Sequence, residues 1–527
     1  MKAKFKRSSS VLAVPLALTL LLAACSGNAN GGNNGAGDNG GGSNGGNKAA
    51  VTDTANKSGN ESSKLDPYEL TVAYWNIGNT KDLAAVAAEV NKLTQAKINT
   101  TIKFMPIDIG AWQQQMNLML AGNEKLDLLV TSTGLSYGTQ AAKGQLLPLD
   151  DLLEEYGPDI KTVVGPDILK AATTSGKIYG VPSVRDWAAD YGVLMRKDLV
   201  DKYKIDLSTI KTYADLDAVF NVIKEKEPMM AAILPEGTSG SIISSITPGL
   251  VDPLNDENGV LPGFDNGLKV VNWYESEQYA DLVNMVRKWY MAGYIPKDIS
   301  TNQTPSEQLV KAGKAFSFVV HMKPGYENKE SIMTGTPMVA VRLLPPVATT
   351  SSISNVMFSI AKNSGNPERA MMFLNLLYSD KDLVNLIDYG IEGKHYVKKT
   401  DGIIGYPSGV DSSNATYAPT HGWMWGNQFL SHVWDGDDPN VWKLQDEFNK
   451  SAKKSKAMGF SFTVDPVKTE AAAVQGVKEQ YKIGLETGTL DPAKYLPEFI
   501  SKLKSAGIEK MIAEKQKQLD EWAKSNQ

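Results

Sequence analysis

Ten tryptophans, four histidines and a single cysteine carry the most distinctive chemistry in this 527-residue chain. An indole presents a broad apolar face with one N–H at its edge. It suits a ligand whose own faces are apolar C–H surfaces ringed by hydroxyls, provided polar side chains nearby replace the water bonds that the ligand gives up. Four tryptophans have such neighbours. Trp75 is followed by Asn76, Trp187 follows Arg185-Asp186, and Trp423 and Trp425 alternate in the glycine-flanked run Gly422-Trp423-Met424-Trp425-Gly426-Asn427. Ser132, Glu236 and Asn427 could add hydrogen bonds. Half-buried packing is the competing reading for each indole. Trp112, Trp289 and Trp522 fall on apolar helical stripes and read as core, while Trp273 and Trp442 fit either role.

The other reactive residue types do not converge. His321, His395, His421 and His432 form no HExxH motif, and their spacing suggests no shared zinc site. Asp256-Glu257-Asn258-Gly259 followed by Asp265 faintly resembles a calcium loop, but Leu254 stands where an EF-hand needs Asp. There is no P-loop and no GxSxG elbow, and among 59 acidic residues no local arrangement singles out a catalytic pair. Neither a cofactor nor a metal is expected. A net charge of −5 gives no electrostatic reason to bind nucleic acid.

The elements that would position these residues follow from periodicity. Leu70–Trp75 alternates as a strand, Leu83, Val86, Ala87, Val90 and Leu93 share a helical face, and Ile98, Thr100, Ile102 and Phe104 alternate again. Trp112, Met116, Met119 and Leu120 stripe a second helix before the buried-type strand Leu126–Thr131. Strand–helix–strand–helix–strand at this spacing predicts a parallel α/β sheet. Such a sheet binds ligands outside the carboxyl ends of its strands, here Trp75-Asn76, Pro106-Ile107-Asp108 and Thr131-Ser132-Thr133. Asp108 reads better as a loop cap. The α/β texture recurs from about 190 to 320, a strong helix lies within 359–380, and the chain is mainly helical from 440 onward with a break at Gly507.

The N-terminal stretch predicts an address. Lys2, Lys4, Lys6 and Arg7 precede an apolar run from Val11 to Leu22, shorter than the roughly 20 residues of a membrane span. The run ends in Leu22-Ala23-Ala24-Cys25, which resembles the lipobox of bacterial lipoproteins, with Cys25 as the lipid anchor. Residues 1–24 would then be a signal peptide, and residues 25–65 a lipidated cysteine and a disordered Gly/Asn/Ser linker. A literal GxGxxG at Gly35–Gly40 lies in that linker without a strand or helix around it, so low complexity accounts for it.

Several longer motifs resemble the extracellular solute-binding lipoproteins of ABC importers. Tyr179-Gly180-Val181-Pro182 precedes Leu194-Met195-Arg196-Lys197-Asp198-Leu199, and Gly313-Lys314-Ala315-Phe316 is similar to the family's return strand. The run YGIEGKHY at 389–396 and the tail run KSKAMGFSF … DPVKTE resemble the LipO-type subgroup, which carries a C-terminal domain of unknown function. In that subgroup run, a structural turn is the favoured role for Glu392, Lys394 and His395. The resemblance implies an α/β, two-lobed, periplasmic-binding-protein-like (class II) fold with a hinge and a helical C-terminal extension. It implies an N-lobe of 66–185 and 321–357, a C-lobe of 186–320 and 358–439, and a helical region 440–527 packed on the lobes. Crossings between lobes are expected near 182–192, 318–324 and 354–360.

The implied function is to capture an oligosaccharide in the cleft and deliver it to permease subunits, as a monomer anchored on the extracellular side of the membrane. The expected ligand contacts are Trp75, Asn76, Ser132, Arg185, Asp186, Trp187, Glu236, Trp423, Trp425 and Asn427. Two other classes stay open: an extracellular carbohydrate-active enzyme, and a binding protein for peptide or another non-sugar solute.

Overall fold

The computed structural model describes residues 65–526, apart from Asn123 and Ser239. The Cys25 motif, the polar segment after it and its GxGxxG match lie outside the described residues. The first strand among the described residues is Tyr68–Asn76, in which every residue from Leu70 to Trp75 is buried. Burial on both faces is what a parallel sheet covered by helices imposes. The strand pairs in parallel with Thr100–Asp108 on one side and Leu128–Thr131 on the other. The connecting helix Leu83–Ile98 buries Val86, Val90, Thr94 and Ile98, and the helix Ile109–Ala121 buries Trp112, Met116 and Met119. Met357–Ile360 and Val181–Pro182 complete this five-stranded sheet, with Met357–Ile360 antiparallel to both of its neighbours.

A second sheet is built around Ala189–Arg196, flanked antiparallel by Ser317–Met322 and Met338–Ala348. Gly192 sits at its centre, where a Cβ would lie 2.0 Å from Val341 O. Only glycine lets the strands close there, and the pairing shifts register just beyond, between Arg342 and Leu344. Each sheet has its own core. Leu70, Val72, Leu128, Val130 and Phe358 belong to the first, and Val193, Leu194, Phe220, Trp289, Phe318 and Val320 to the second. Two separate cores make the two lobes of a mixed α/β fold, in agreement with the expected class.

The course of the chain between lobes differs from the sequence expectation. Ser317–Met322, the helix Tyr326–Thr334 and Met338–Ala348 all stay with the second sheet and core, so 318–324 is no crossing and most of 321–357 is not in the first lobe. Conversely Ile360, Phe373, Leu374, Leu377, Met424 and Trp425 pack into the first core, so 358–439 does not belong with the second lobe. The apolar periodicity of these segments was legible, but periodicity does not say which sheet an apolar face meets. The chain crosses between the sheets at 183–188 and 349–356, and again after the helix Val441–Ser451, where Lys453–Lys454 joins the second sheet.

The helices Lys468–Glu486, Pro492–Ser505 and Ile508–Asn526 add Val474, Leu485, Phe499, Leu503 and Met511 to the second core. Gly507, at φ 99°, separates the last two. Among the described residues no helix is long and apolar enough to cross a membrane.

Candidate binding site

The first-lobe part of the site forms where the parallel strands end. Trp75 is only 6% exposed. Its ring meets Trp112 edge-on at 6.1 Å and 78°, and Trp423 at 6.0 Å and 44°. Trp423 is half-buried, its indole N–H donating to Thr420 O at 3.1 Å. The Trp75 indole N–H is buried without a protein acceptor, an uncommon state for a donor inside a protein. Next to it Asn76 Nδ2 donates to Asp108 Oδ1 at 2.8 Å, which joins two neighbouring strand ends.

The segment carrying Trp423 is stitched to the first crossing. Val184 N–H donates to Gly426 O at 2.7 Å and Gln428 N–H to Val184 O at 2.9 Å. Gly426 has φ 52°, and a Cβ there would lie 2.2 Å from Leu377 O, so a side chain at this position would break the seam. Gly422–Met424 forms a 3-10 turn rather than a strand, which separates the two alternating indoles. Trp425 is fully buried against Tyr74, Phe104 and Phe358, at 5.0, 5.8 and 5.1 Å. It is a core residue and offers no open platform, contrary to the sequence expectation. Asn427 is likewise turned to structure, its side chain accepting from Phe429 N–H at 3.0 Å. Ser132 Oγ accepts from Gly134 N–H at 3.1 Å and caps a turn.

The hinge is lined by charge. Arg185 donates to Asp186 Oδ1 at 2.8 Å, and to Ser352 O at 3.1 Å and Asn355 Oδ1 on the second crossing, so one guanidinium ties two crossings together. Asp186 also receives Lys323. Burial pushes the Asp186 carboxyl up, but Lys323 and Arg185 outweigh it and hold it below the ordinary carboxylate value. Trp187 is half-buried, its indole donating to Ser183 O at 2.8 Å. Asn449, in the last turn of the helix Val441–Ser451, accepts from Trp187 N–H at 3.0 Å and donates to Arg185 O at 2.6 Å.

On the second lobe, beside the hinge, Glu236 Oε1 pairs with His321 Nδ1 at 2.5 Å. With Tyr191, Ser244, Ser245 and Pro248 they line a small cavity of about 300 Å³. This group is braced from the C-terminal helices. Buried Glu486 accepts from Ser241 Oγ at 2.5 Å, Ser244 Oγ at 2.7 Å and Tyr279 OH at 3.3 Å. Ser245 Oγ in turn accepts from Glu236 N–H at 3.2 Å. Arg342 pairs with Asp190 at 2.7 Å and Glu327 at 2.9 Å.

Sequence reasoning found Glu236 but missed His321, Tyr191 and Glu486. His321 lies within the strand Ser317–Met322, which is antiparallel to its neighbour, so the rule for parallel strand ends that picked Trp75 does not reach it. Glu486 shows as a lone carboxylate beside Gly484-Leu485 on an apolar helix face.

The faint calcium loop is filled from within. Lys515, on the last helix, is 1% exposed and donates to Asp256 Oδ1 at 2.7 Å and Gly259 O at 2.9 Å. Burial drives the Lys515 pKa below its ordinary value against the pull of Asp256. Glu257 pairs with Lys482 at 2.5 Å, and Asp265 is exposed. His395 and Lys394 both bind Asp82 Oδ2, at 3.0 and 2.8 Å, which fastens the 390s turn to the start of the first helix.

Comparison with known proteins agrees with this architecture. Residues 77–383 match the family described as bacterial extracellular solute-binding protein, and residues 456–524 match a domain of unknown function. A carbohydrate ABC transporter substrate-binding protein of Streptococcus pneumoniae is 29% identical over 508 residues, covering 90% of this chain and 96% of the relative. The crystal structure of the N-glycan transport solute-binding protein NgtS from Streptococcus pneumoniae superposes with a TM-score of 0.77 at 28% identity, covering 88% of this chain and 100% of that one. For NgtS in complex with Man5GlcNAc the values are 0.64 and 27%, with the same coverage. With more than half of its length matched by the family, this chain belongs to the bacterial extracellular solute-binding proteins.

Proposed function

We propose that this protein is the membrane-anchored receptor of an ABC importer, which captures a neutral oligosaccharide between its lobes and hands it to the permease subunits. The observation that carries the reading is the Trp75–Trp423 pair at the carboxyl ends of parallel strands, where sheets of this kind bind ligands. Trp75, Asn76, Trp187 and Trp423 form the first-lobe wall, Arg185 and Asp186 the hinge, and Tyr191, Glu236 and His321 the second-lobe wall. A sugar ring lies on the half-buried Trp187 and Trp423 indoles, the second backed by Trp75, and exchanges its water bonds for the polar groups opposite. The cations around the hinge already have internal carboxylates: Arg185 and Lys323 share Asp186, and Arg342 holds Asp190 and Glu327. A uronate would have to break one of these pairs, which favours an uncharged ligand.

A two-lobed receptor of this kind closes about its hinge on ligand. Closure needs the ligand to bind the closed state more tightly than the open one, and a permease can then tell loaded from empty receptor. A lipid on Cys25 would keep the receptor near that permease at high effective concentration. Cys25→Ala should move the protein from the membrane to the soluble fraction without changing its affinity for sugar. Retention of that variant on the membrane would end the anchor reading.

Titration calorimetry of the purified protein against neutral oligosaccharides, oligouronates and peptides tests the ligand class. Binding of neutral sugars with the sugar recovered intact is the expected result. Binding of peptides alone would move the ligand to another class, and cleaved sugar would make the protein an enzyme.

A further inference from the structure

A larger cavity, of about 450 Å³, is lined in part by Trp423. We propose that it is a second sugar subsite, which holds an outer, uncharged unit of an oligosaccharide whose inner units lie against Trp423. The inference rests on the oligosaccharide reading above. Its volume falls within the roughly 300–1,000 Å³ of small-molecule sites. Tyr406 and Trp434 form one wall, their rings 4.6 Å apart and inclined by 36°, and Trp423 forms another. Gln428, Lys329 and Asp437 supply donors and acceptors. Lys329 stands against Asp437, and burial raises the second carboxyl, Asp388, to about 7, so the cavity carries little net charge, which suits a hydroxyl-rich neutral ring.

Two features tie this cavity to the cleft rather than to an independent ligand. Trp423 is shared between the cavity and the Trp75 pair, so one chain of sugar units can run past a single indole into both places. Lys329 is the second lobe's contribution, from the helix Tyr326–Thr334, while the aromatic wall belongs to the segment packed on the first lobe. A unit seated here therefore touches both lobes and favours their approach. That approach is already begun beside it, where Asn328 Nδ2 donates to Gly436 O at 3.1 Å and to Asp437 Oδ1 at 3.2 Å. A longer glycan would gain closure energy that a short one cannot reach.

Calorimetric titration of wild type, Trp434→Ala and Lys329→Ala with a neutral disaccharide and with Man5GlcNAc tests the inference. Lys329 is exposed, so its variant guards against a Trp434→Ala protein that does not fold. Each variant should bind Man5GlcNAc about tenfold more weakly, the scale of one lost aromatic or polar anchor, and bind the disaccharide as wild type does. If wild type binds both glycans and the variants lose both equally, or neither, the subsite is wrong while the oligosaccharide reading stands. If wild type binds no glycan, both fall together.

Discussion

The two sets of side chains flanking the hinge are made of different materials. On the first lobe, Trp75, Trp112 and Trp423 lean on one another and take their positions from packing. On the second, Glu236, His321, Ser244 and Ser245 take theirs from hydrogen bonds and an ion pair that trace back to Glu486 on a C-terminal helix. Packing fixes a flat apolar surface, whereas a hydrogen-bonded chain fixes directions of donors and acceptors. A sugar needs both, one for its C–H faces and one for its hydroxyls. The difference also gives the C-terminal domain a role in this account, because its Glu486 is what holds the polar wall in place.

The largest effect expected is on the aromatic side and falls on the core indole. Trp425→Ala should cost about 3–5 kcal/mol of stability, read by chemical denaturation, because it empties a site enclosed by Tyr74, Phe104 and Phe358. A small loss would mean that the 422–427 turn is not seated as described.

On the polar side, Glu486→Gln should cost about 1–3 kcal/mol and also weaken sugar binding severalfold, since three hydroxyls lose a charged acceptor. A stability loss with unchanged affinity would confine Glu486 to structure.

The smallest effect expected comes from Asp388, which is buried against Gly422 and accepts from Ser431. Burial raises its carboxyl to about 7, from roughly 3.9 in an unfolded chain. The folded state therefore holds that proton more tightly than the unfolded one, and this group costs stability progressively as pH rises from about 4 to about 7. Asp388→Asn should flatten that slope and raise the melting temperature at pH 8 by about 2–4 °C. An unchanged pH profile would show that the carboxyl is solvated in the native protein.

Much of the fold was legible from local pattern. The opening strands and helices follow from alternation at Leu70–Trp75 and from the Val86–Val90 helical face, and the lobes' α/β character follows from them. The assignment of later segments to lobes was not, because Phe318 and Phe373 are equally apolar and only the folded chain shows which core each enters. In the candidate site, strand-end position pointed to Trp75 and Asn76, which lie where the parallel strands end, and Arg185 and Asp186 lie on the first crossing. It failed for Trp425, because alternation implies a common face only in an extended strand and Gly422–Met424 turns instead. Glu486 lies far along the chain from the serines it holds, and no local pattern reports such a distance.

In the proposed site Trp423 is the ligand platform, on a wall that Trp425 supports from the core. Titration calorimetry of wild type and Trp423→Ala with one neutral oligosaccharide, alongside their melting temperatures, tests it most directly. Wild type should bind, the variant should bind at least about tenfold more weakly, and the two should melt within a few degrees of each other. Equal affinity in the two proteins, or no binding by wild type to any neutral sugar, would contradict it.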